Sequence, residues 1–312
     1  MIAVTTERLI RDVYETLGIT PRADEIRLCE PLSSHASFRI GGPADAFLTP
    51  DRPDIFSDVY RAAKEANIPV LILGRGTNIL FSDEGYRGVV LSTAAMQSVS
   101  VSGETVTAGA GATVNQCATA AWHASLDGMT FMYGIPGSIG GAVYMNAGAY
   151  GGECADVLQE STYLDLITGE IIPLSKESHD FSYRHSTYMS GGRVVLSATF
   201  ALRRGDADEI KAKMDDVFSR RVTKQPLDFP SAGSVFKRPE GYFAGKLIED
   251  SGLKGYSVGG AQVSEKHAGF IINRGGATAA DVLSLIDHIQ TTVYQRFGVL
   301  LETEIIRMGA DG

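Results

Sequence analysis

Cysteine is scarce in this chain. Cys29, Cys117 and Cys154 are the only three, widely separated and odd in number. Such a set gives no metal-ligand spacing and no disulfide framework, and it fits a reducing compartment. No apolar run approaches the roughly 20 residues needed to cross a bilayer. Near the N-terminus an amphipathic helix is expected over residues 1–19, with Leu9, Ile10, Val13 and Leu17 on one side. Glu7, Asp12 and Glu15 interrupt it, so it lacks the unbroken apolar stretch of a signal peptide. Cationic excess is also missing: 28 Lys+Arg against 37 Asp+Glu leave a net charge of -9. Broad electrostatic capture of nucleic acid is thereby excluded, and an anionic ligand must be met by local cations. There is no internal repeat, no low-complexity segment and no heptad pattern arguing for a coiled-coil dimer. The expectation is a cytoplasmic protein, taken as a monomer, with no membrane or nucleic-acid partner.

What is present is an ordinary globular composition, 44% hydrophobic and 21% charged over 312 residues, enough for two or three domains. The pattern is mixed α/β. A helix is expected over residues 55–66, then the apolar strand Val70-Leu71-Ile72-Leu73. Short strands follow at 88–92, 98–102 and 105–108, and a small-residue helix at 113–125. Residues 134–152 hold seven glycines and read as too poor in large side chains for a normal core element. Strands resume at 160–166 and 170–174, joined through Thr168-Gly169, and again at 193–202. Beyond Gly205 helices are expected at 207–223, 243–251 and 279–297, with strands at 269–273 and 299–306.

Five stretches carry chemistry. Leu73-Gly74-Arg75-Gly76-Thr77-Asn78 follows a buried-looking strand. Its glycines free backbone N–H groups for a pyrophosphate, and Thr77 and Asn78 add side-chain donors. It is neither a Walker loop nor the Rossmann fingerprint, and alone it is most simply a turn. A second glycine loop, Gly134-Ile135-Pro136-Gly137-Ser138-Ile139-Gly140-Gly141, suggests a cleft that grips an extended ligand by its backbone, with Asn146-Ala147-Gly148-Ala149-Tyr150-Gly151 continuing the wall. Ser231-Ala232-Gly233-Ser234-Val235-Phe236-Lys237-Arg238 joins small residues that admit a flat ligand to two cations suited to phosphate; a Gly-Ser turn followed by a solvated basic pair reads equally well. Arg184 lies between aromatic and small polar residues in Phe181-Ser182-Tyr183-Arg184-His185-Ser186, and Glu302 and Glu304 share one face of an expected strand. On residues alone these amount to an anionic-nucleotide binder with a Ser/Arg/Glu constellation, and no reaction is specified.

From Pro31 to Met308 the chain resembles the UDP-N-acetylenolpyruvoylglucosamine reductases, also called UDP-N-acetylmuramate dehydrogenases. The resemblance rests on seven motifs in the family's order. They are Ser37-Phe38-Arg39-Ile40-Gly41-Gly42-Pro43-Ala44, the two glycine loops, Asn146 to Gly151, Tyr183-Arg184-His185-Ser186, Ser231-Ala232-Gly233-Ser234 and Leu301-Glu302-Thr303-Glu304. It implies an α+β protein: a two-lobed FAD-binding domain of the vanillyl-alcohol-oxidase type (31–92 and 93–204), a C-terminal α+β substrate-binding domain (205–308) and an N-terminal helical extension (1–30). FAD would lie between the glycine loops, held by Gly74, Arg75, Gly76, Thr77, Asn78, Gly137, Ser138, Ile139, Gly140, Gly141, Asn146 and Gly148. Many relatives of that fold tether flavin through a histidine near the first loop; Thr77-Asn78 stand there, so noncovalent FAD is expected. The runs from Arg184 to Ser234 and on to Glu302 leave no room for a tyrosine-bearing insertion, marking the shorter type of the family.

The chemistry implied is NADPH reduction of the flavin, then hydride transfer to UDP-N-acetylglucosamine enolpyruvate, giving UDP-N-acetylmuramate for peptidoglycan and the cell wall. Arg184 and Glu302 match the family residues that meet developing enolate charge, which needs preorganised partners. Ser234 matches the proton donor. Lys224, Lys237 and Arg238 would hold phosphates, although relatives often carry asparagine where Arg238 stands. Tyr183 and His267 are expected substrate contacts; a histidine at a loop-to-strand junction is also commonly structural. Two other readings stay open here: a related flavin oxidase or dehydrogenase acting on another small molecule, and a catalytically silent nucleotide-binding module.

Overall fold

Leu158–Asp165 buries Leu158, Ser161, Tyr163 and Leu164, and Arg193–Ala201 buries Val194, Val195, Ala198 and Phe200. In the computed structural model, which describes residues 2–310, these strands are central in a five-stranded antiparallel sheet. Its order is 171–175, 158–165, 193–201, 105–109, 99–102. The chain divides into two compact units. Unit 1 comprises Met1–Leu28, Asp45–Arg75 and Gly88–Arg220; unit 2 comprises Cys29–Ala44, Gly76–Arg87 and Arg221–Gly312.

Unit 1 holds the five-stranded sheet and the helices α1 (Ile2–Thr16), α2 (Pro53–Glu65), α3 (Val114–His123), α4 (Ile139–Tyr144), α5 (Cys154–Val157) and most of α6 (Ala207–Lys224). α3 starts at a reciprocal cap, in which Thr113 Oγ1 accepts from Gln116 N while Gln116 Oε1 accepts from Thr113 N. It buries Val114, Cys117, Ala118 and Ala121 in one core with Val106, Ala198, Phe200 and Val143. Burial pushes the Cys117 thiol up to about 12 and raises that of Cys154, which makes both inert apolar filling. A second core in this unit packs Ile10, Val13 and Tyr14 of α1 with Phe56 and Val59 of α2 and Leu48, Val89 and Leu91 of a four-stranded sheet. α1, expected as an extension, is therefore part of a core, and Tyr14 anchors it by donating to Glu25 Oε1 at 2.7 Å.

Unit 2 is organised around α8 (Ala279–Phe297), with α7 (Ala244–Asp250) and a three-stranded antiparallel sheet of 257–258, 261–263 and 271–273. α8 opens on a Thr278/Asp281 capping box and ends at Gly298, whose φ of 69 allows the left-handed cap. Asp83 adds to the start, its carboxylate accepting from Ala279 N and Ala280 N. Val282, Leu285, Ile286, Ile289 and Val293 form its buried stripe, each contributing about 1.5–3 kcal/mol by leaving water.

Three expectations need correction. The strand expected at 299–306 is not one: Leu300–Ile305 carries a single isolated bridge, Phe236 to Thr303, and the strand begins only at Ile306, pairing parallel with Ile79–Phe81. Residues 134–152 do contribute to the core, because α4 within them buries Ile139, Ala142 and Val143. The strands Ile26–Pro31 and Pro43–Leu48 were not expected; exposed Leu28 and Cys29 obscure the alternation in the first. Each of the two compact units is assembled from three stretches of chain. Among the described residues no helix is long and apolar enough to cross a membrane.

Candidate active site

In unit 1 the two glycine loops meet. Strand Val70–Leu73 pairs parallel with Val89–Ser92 and stops at Gly74, where a Cβ would lie 2.7 Å from Ser138 Oγ. Ser138 is buried and caps α4 by accepting from Gly141 N at 3.3 Å. The amides of Ile139 and Gly140 donate to Ala112 O and Ala110 O, both at 2.9 Å. The second loop thus spends its first amides on its own fold. What it offers is a bare surface: Gly141 is exposed, and a Cβ there would meet nothing but Ser138 Oγ, at 3.4 Å.

The first loop differs. The backbone N–H groups of Arg75, Gly76 and Thr77 donate to no protein acceptor among the described residues. Gly76 is required where it stands, with φ +60 and a Cβ position 2.0 Å from His35 O. Its carbonyl accepts from Ser37 N at 3.0 Å. Asn78 anchors the loop's far end, Nδ2 donating to Glu304 O at 3.1 Å while Ile306 N donates to Asn78 O.

Arg184 sits in unit 1 on a tight turn. Ser182 and His185 exchange backbone hydrogen bonds of 3.3 and 3.1 Å, which leaves Tyr183 and Arg184 at the tip. The Arg184 guanidinium lies 5.1 Å from the Tyr183 ring centroid, and its Nη2 donates to Gly148 O at 3.4 Å. Tyr183 is half exposed. Asn146 is fully buried next to this turn, its side chain bonded to Ser182 O and Ala155 N.

In unit 2 the loop bearing Ser234 is held from two sides. Val235 N donates to Gly269 O at 2.9 Å and Ser234 bridges Phe270, while Lys237 N donates to Glu302 O at 2.9 Å and Glu304 N to Val235 O at 2.7 Å. Ser37 Oγ, donating to Ser231 O at 2.6 Å, fixes the loop's start. Ser234, Lys237 and Glu302 therefore stand on adjoining segments, with Lys237 Nζ 3.3 Å from Glu302 Oε2. The Glu302 side chain is 72% exposed, so this pair is solvent-screened and contributes little to stability. Arg238 lies over the Phe243 ring at 4.1 Å, and Phe243 is itself 62% exposed.

His267 packs against the loop's neighbours. Its Nδ1 accepts from Gly269 N at 3.1 Å, its ring meets Phe270 edge-on at 5.0 Å, and Cβ atoms at Gly245 or Gly269 would crowd it. Burial holds its pKa below the usual histidine value. The ring is accordingly neutral with its proton on Nε2. Lys224, the last residue of α6, is exposed. Ser37 and Ser186 stood in the sequence motifs without a role, and Phe243 was given none, since nothing local marks which serine or phenylalanine will meet a distant loop.

Two family models match the chain: one described as FAD binding domain over residues 44–175, and one as UDP-N-acetylenolpyruvoylglucosamine reductase, C-terminal domain, over 225–308. The chain is 51% identical over 300 residues to the UDP-N-acetylenolpyruvoylglucosamine reductase of Clostridium novyi (strain NT), covering 96% of this chain and 97% of that one. It is 47% identical over 302 residues to the protein of that name from Clostridioides difficile (strain 630), covering 96% and 99%. Among solved structures, that of UDP-N-acetylenolpyruvylglucosamine reductase from Thermus caldophilus superposes with a TM-score of 0.77 at 32% identity, covering 91% of this chain and 98% of that one.

Proposed function

This chain belongs to the UDP-N-acetylenolpyruvoylglucosamine reductase family, and on that premise we propose that it reduces UDP-N-acetylglucosamine enolpyruvate to UDP-N-acetylmuramate for peptidoglycan synthesis, using FAD and NADPH in the cytoplasm. The geometric observation that carries the reading is the stitching of the Ser234–Lys237 segment to Glu302–Glu304, which puts a hydroxyl, a cation and a carboxylate on adjoining backbone.

The residues present fit a flavin dinucleotide. The amides of Arg75, Gly76 and Thr77 would bind its diphosphate, and the bare surface at Gly141 would admit it closely. Gly137, Ser138 and Ile139 act by shaping that surface. When bound, FAD supplies a hydride, drawn from NADPH, to the terminal carbon of the enolpyruvyl group.

The chain's own groups manage the charge and the proton. Arg184 holds the substrate carboxylate through its planar fork and stabilises negative charge developing there. Glu302 is the acid that the family resemblance assigns to the reaction. The Ser234 hydroxyl gives its proton to the carbon next to the carboxylate and regains one from solvent, so the double bond ends as a saturated lactyl ether. A serine can be this donor because the neighbouring carbanion is strongly basic and the loop geometry is fixed. Lys224, Lys237 and Arg238 meet the phosphates, Tyr183 covers the substrate, and His267 offers Nε2–H as a neutral donor.

The test is an anaerobic spectrum of the FAD-loaded protein. NADPH should bleach the flavin band and the enolpyruvyl nucleotide should restore it. In Ser234→Ala the bleaching should survive nearly intact while restoration slows by about 10²- to 10⁴-fold, the range for a lost proton donor. Return of colour only with oxygen would favour an oxidase instead, and equal losses in both half-reactions would make Ser234 structural.

A further inference from the structure

The turn bearing Arg184 has an unfavourable backbone. Arg184 takes φ 56, the left-handed region, at the third position of a four-residue turn where glycine or asparagine is usual. A non-glycine residue there costs about 1–2 kcal/mol and persists only when its surroundings hold it. The holding elements are visible in one short stretch, Tyr144 to Gly148. Tyr144 O accepts from Ser186 Oγ at 2.7 Å, Asn146 Nδ2 donates to Ser182 O at 3.1 Å, and Gly148 O accepts from Arg184 Nη2 at 3.4 Å. Ser186 and Asn146 are both fully buried. Asn146 is itself left-handed at φ 43, and its Oδ1 accepts from Ala155 N at 2.9 Å, tying it to the first turn of α5.

We infer that Asn146 is a positioning residue for Arg184, acting through the Ser182 carbonyl, with Ser186 as a second clamp on the same turn. Both ends of the Asn146 amide are engaged by protein, so its task is to fix where the guanidinium fork points, and it leaves the cofactor set in which the sequence placed it. The inference rests on the reading that Arg184 binds the substrate carboxylate. A displacement of about 1 Å in such a group can cost about 10²-fold in rate, which is how a residue without substrate contact acquires a kinetic role.

The decisive variant is Asn146→Asp. It keeps the size, the tolerance of a left-handed backbone and the acceptor for Ala155 N, but an ionised carboxylate cannot donate to Ser182 O. In the FAD-loaded full-length protein, reduction by NADPH should stay within about 2-fold and FAD affinity within about 3-fold. Reoxidation by the enolpyruvyl nucleotide should fall about 10- to 100-fold. That rate should recover as pH is lowered, because the protonated carboxyl regains a donor, a profile that wild type lacks. In an Arg184→Ala background the same change should add less than about 2-fold, since there is no longer a fork to aim. Ser186→Ala should slow the same half-reaction and supplies the test if Asn146→Asp does not fold.

Loss of FAD affinity with an unchanged reoxidation rate would return Asn146 to the cofactor site and overturn the inference. An undiminished penalty in the Arg184→Ala background would overturn it as well. Wild-type flavin that the enolpyruvyl nucleotide does not reoxidise would instead sink the functional reading, and the inference with it.

Discussion

His179 is fully buried in unit 1, and its neighbours dictate its protonation. Nδ1 lies 2.8 Å from Ser175 O and 3.2 Å from Lys176 O, both acceptors, so the proton sits on Nδ1. Nε2 then accepts from Ser161 Oγ at 2.7 Å, and Ser161 accepts from Tyr188 at 2.6 Å. Burial lowers the pKa of His179 below 6.5 and pushes that of Tyr188 up to about 12. The ring also stacks on Phe181, one residue before the Arg184 turn, at 4.9 Å. A base whose folded pKa is depressed binds fewer protons folded than unfolded. Its stabilising contribution is therefore complete above pH 6.5 and is lost as pH falls below that value toward the lowered pKa. Urea unfolding between about pH 5 and 8 should show stability declining on the acid side, with a shallower decline in His179→Gln. An identical slope in the variant would remove His179 as a contributor. Arg184, Ser234 and Glu302 could be proposed at this scale because side-chain type and motif order are sequence properties. Whether a side chain such as that of Asn146 faces a ligand or the protein is not, since it depends on burial.

Among the elements, the junction of the two glycine loops makes the sharpest demand. Gly74→Ala would place a methyl 2.7 Å from Ser138 Oγ, a buried cap that cannot swing away without releasing Gly141 N. The expected cost is about 1–3 kcal/mol, as for overpacking, together with weakened FAD binding. Thermal unfolding and a flavin titration would check both, and wild-type values in each would mean the loops are looser than drawn. Long periodic elements were legible: α8 spans the expected 279–297, because its five-residue apolar stripe recurs at helical spacing and its caps are local. Leu300–Ile305 was not, since an alternating pattern shows a readiness to extend while ladder pairing needs a regular partner. Its partner, the Ser234–Lys237 loop, offers only an isolated bridge on each side, to Phe270 and to Thr303. α4 was missed for the opposite reason: glycine disfavours helix, and burial of Ile139, Ala142 and Val143 overrides that preference.

At the scale of the molecule, each unit gathers three stretches of chain, so a ligand that binds only the folded form stabilises contacts far apart in sequence. FAD at 100 times its dissociation constant should add about 2.7 kcal/mol and raise the melting temperature with the logarithm of its concentration. Absence of any shift with added FAD would contradict the flavoprotein assignment. The net charge of -9 adds that an anionic ligand is attracted only by local cations, the ones proposed for phosphates here being Lys224, Lys237 and Arg238.

Composition and periodicity were sufficient for a mixed α/β pattern, and the resemblance in motif order supplied the α+β class, the family and the cofactor, along with three residues that stand as proposals for catalysis, because motif order is residue identity along the chain. Tertiary structure alone decided that the second glycine loop consumes its own amides, that Glu302 lies on a segment bonded to the Ser234–Lys237 loop next to Lys237, and that Asn146 points at Ser182. Each depends on a hydrogen bond between residues whose neighbourhood exists only after folding, and no local pattern encodes a partner so distant in sequence.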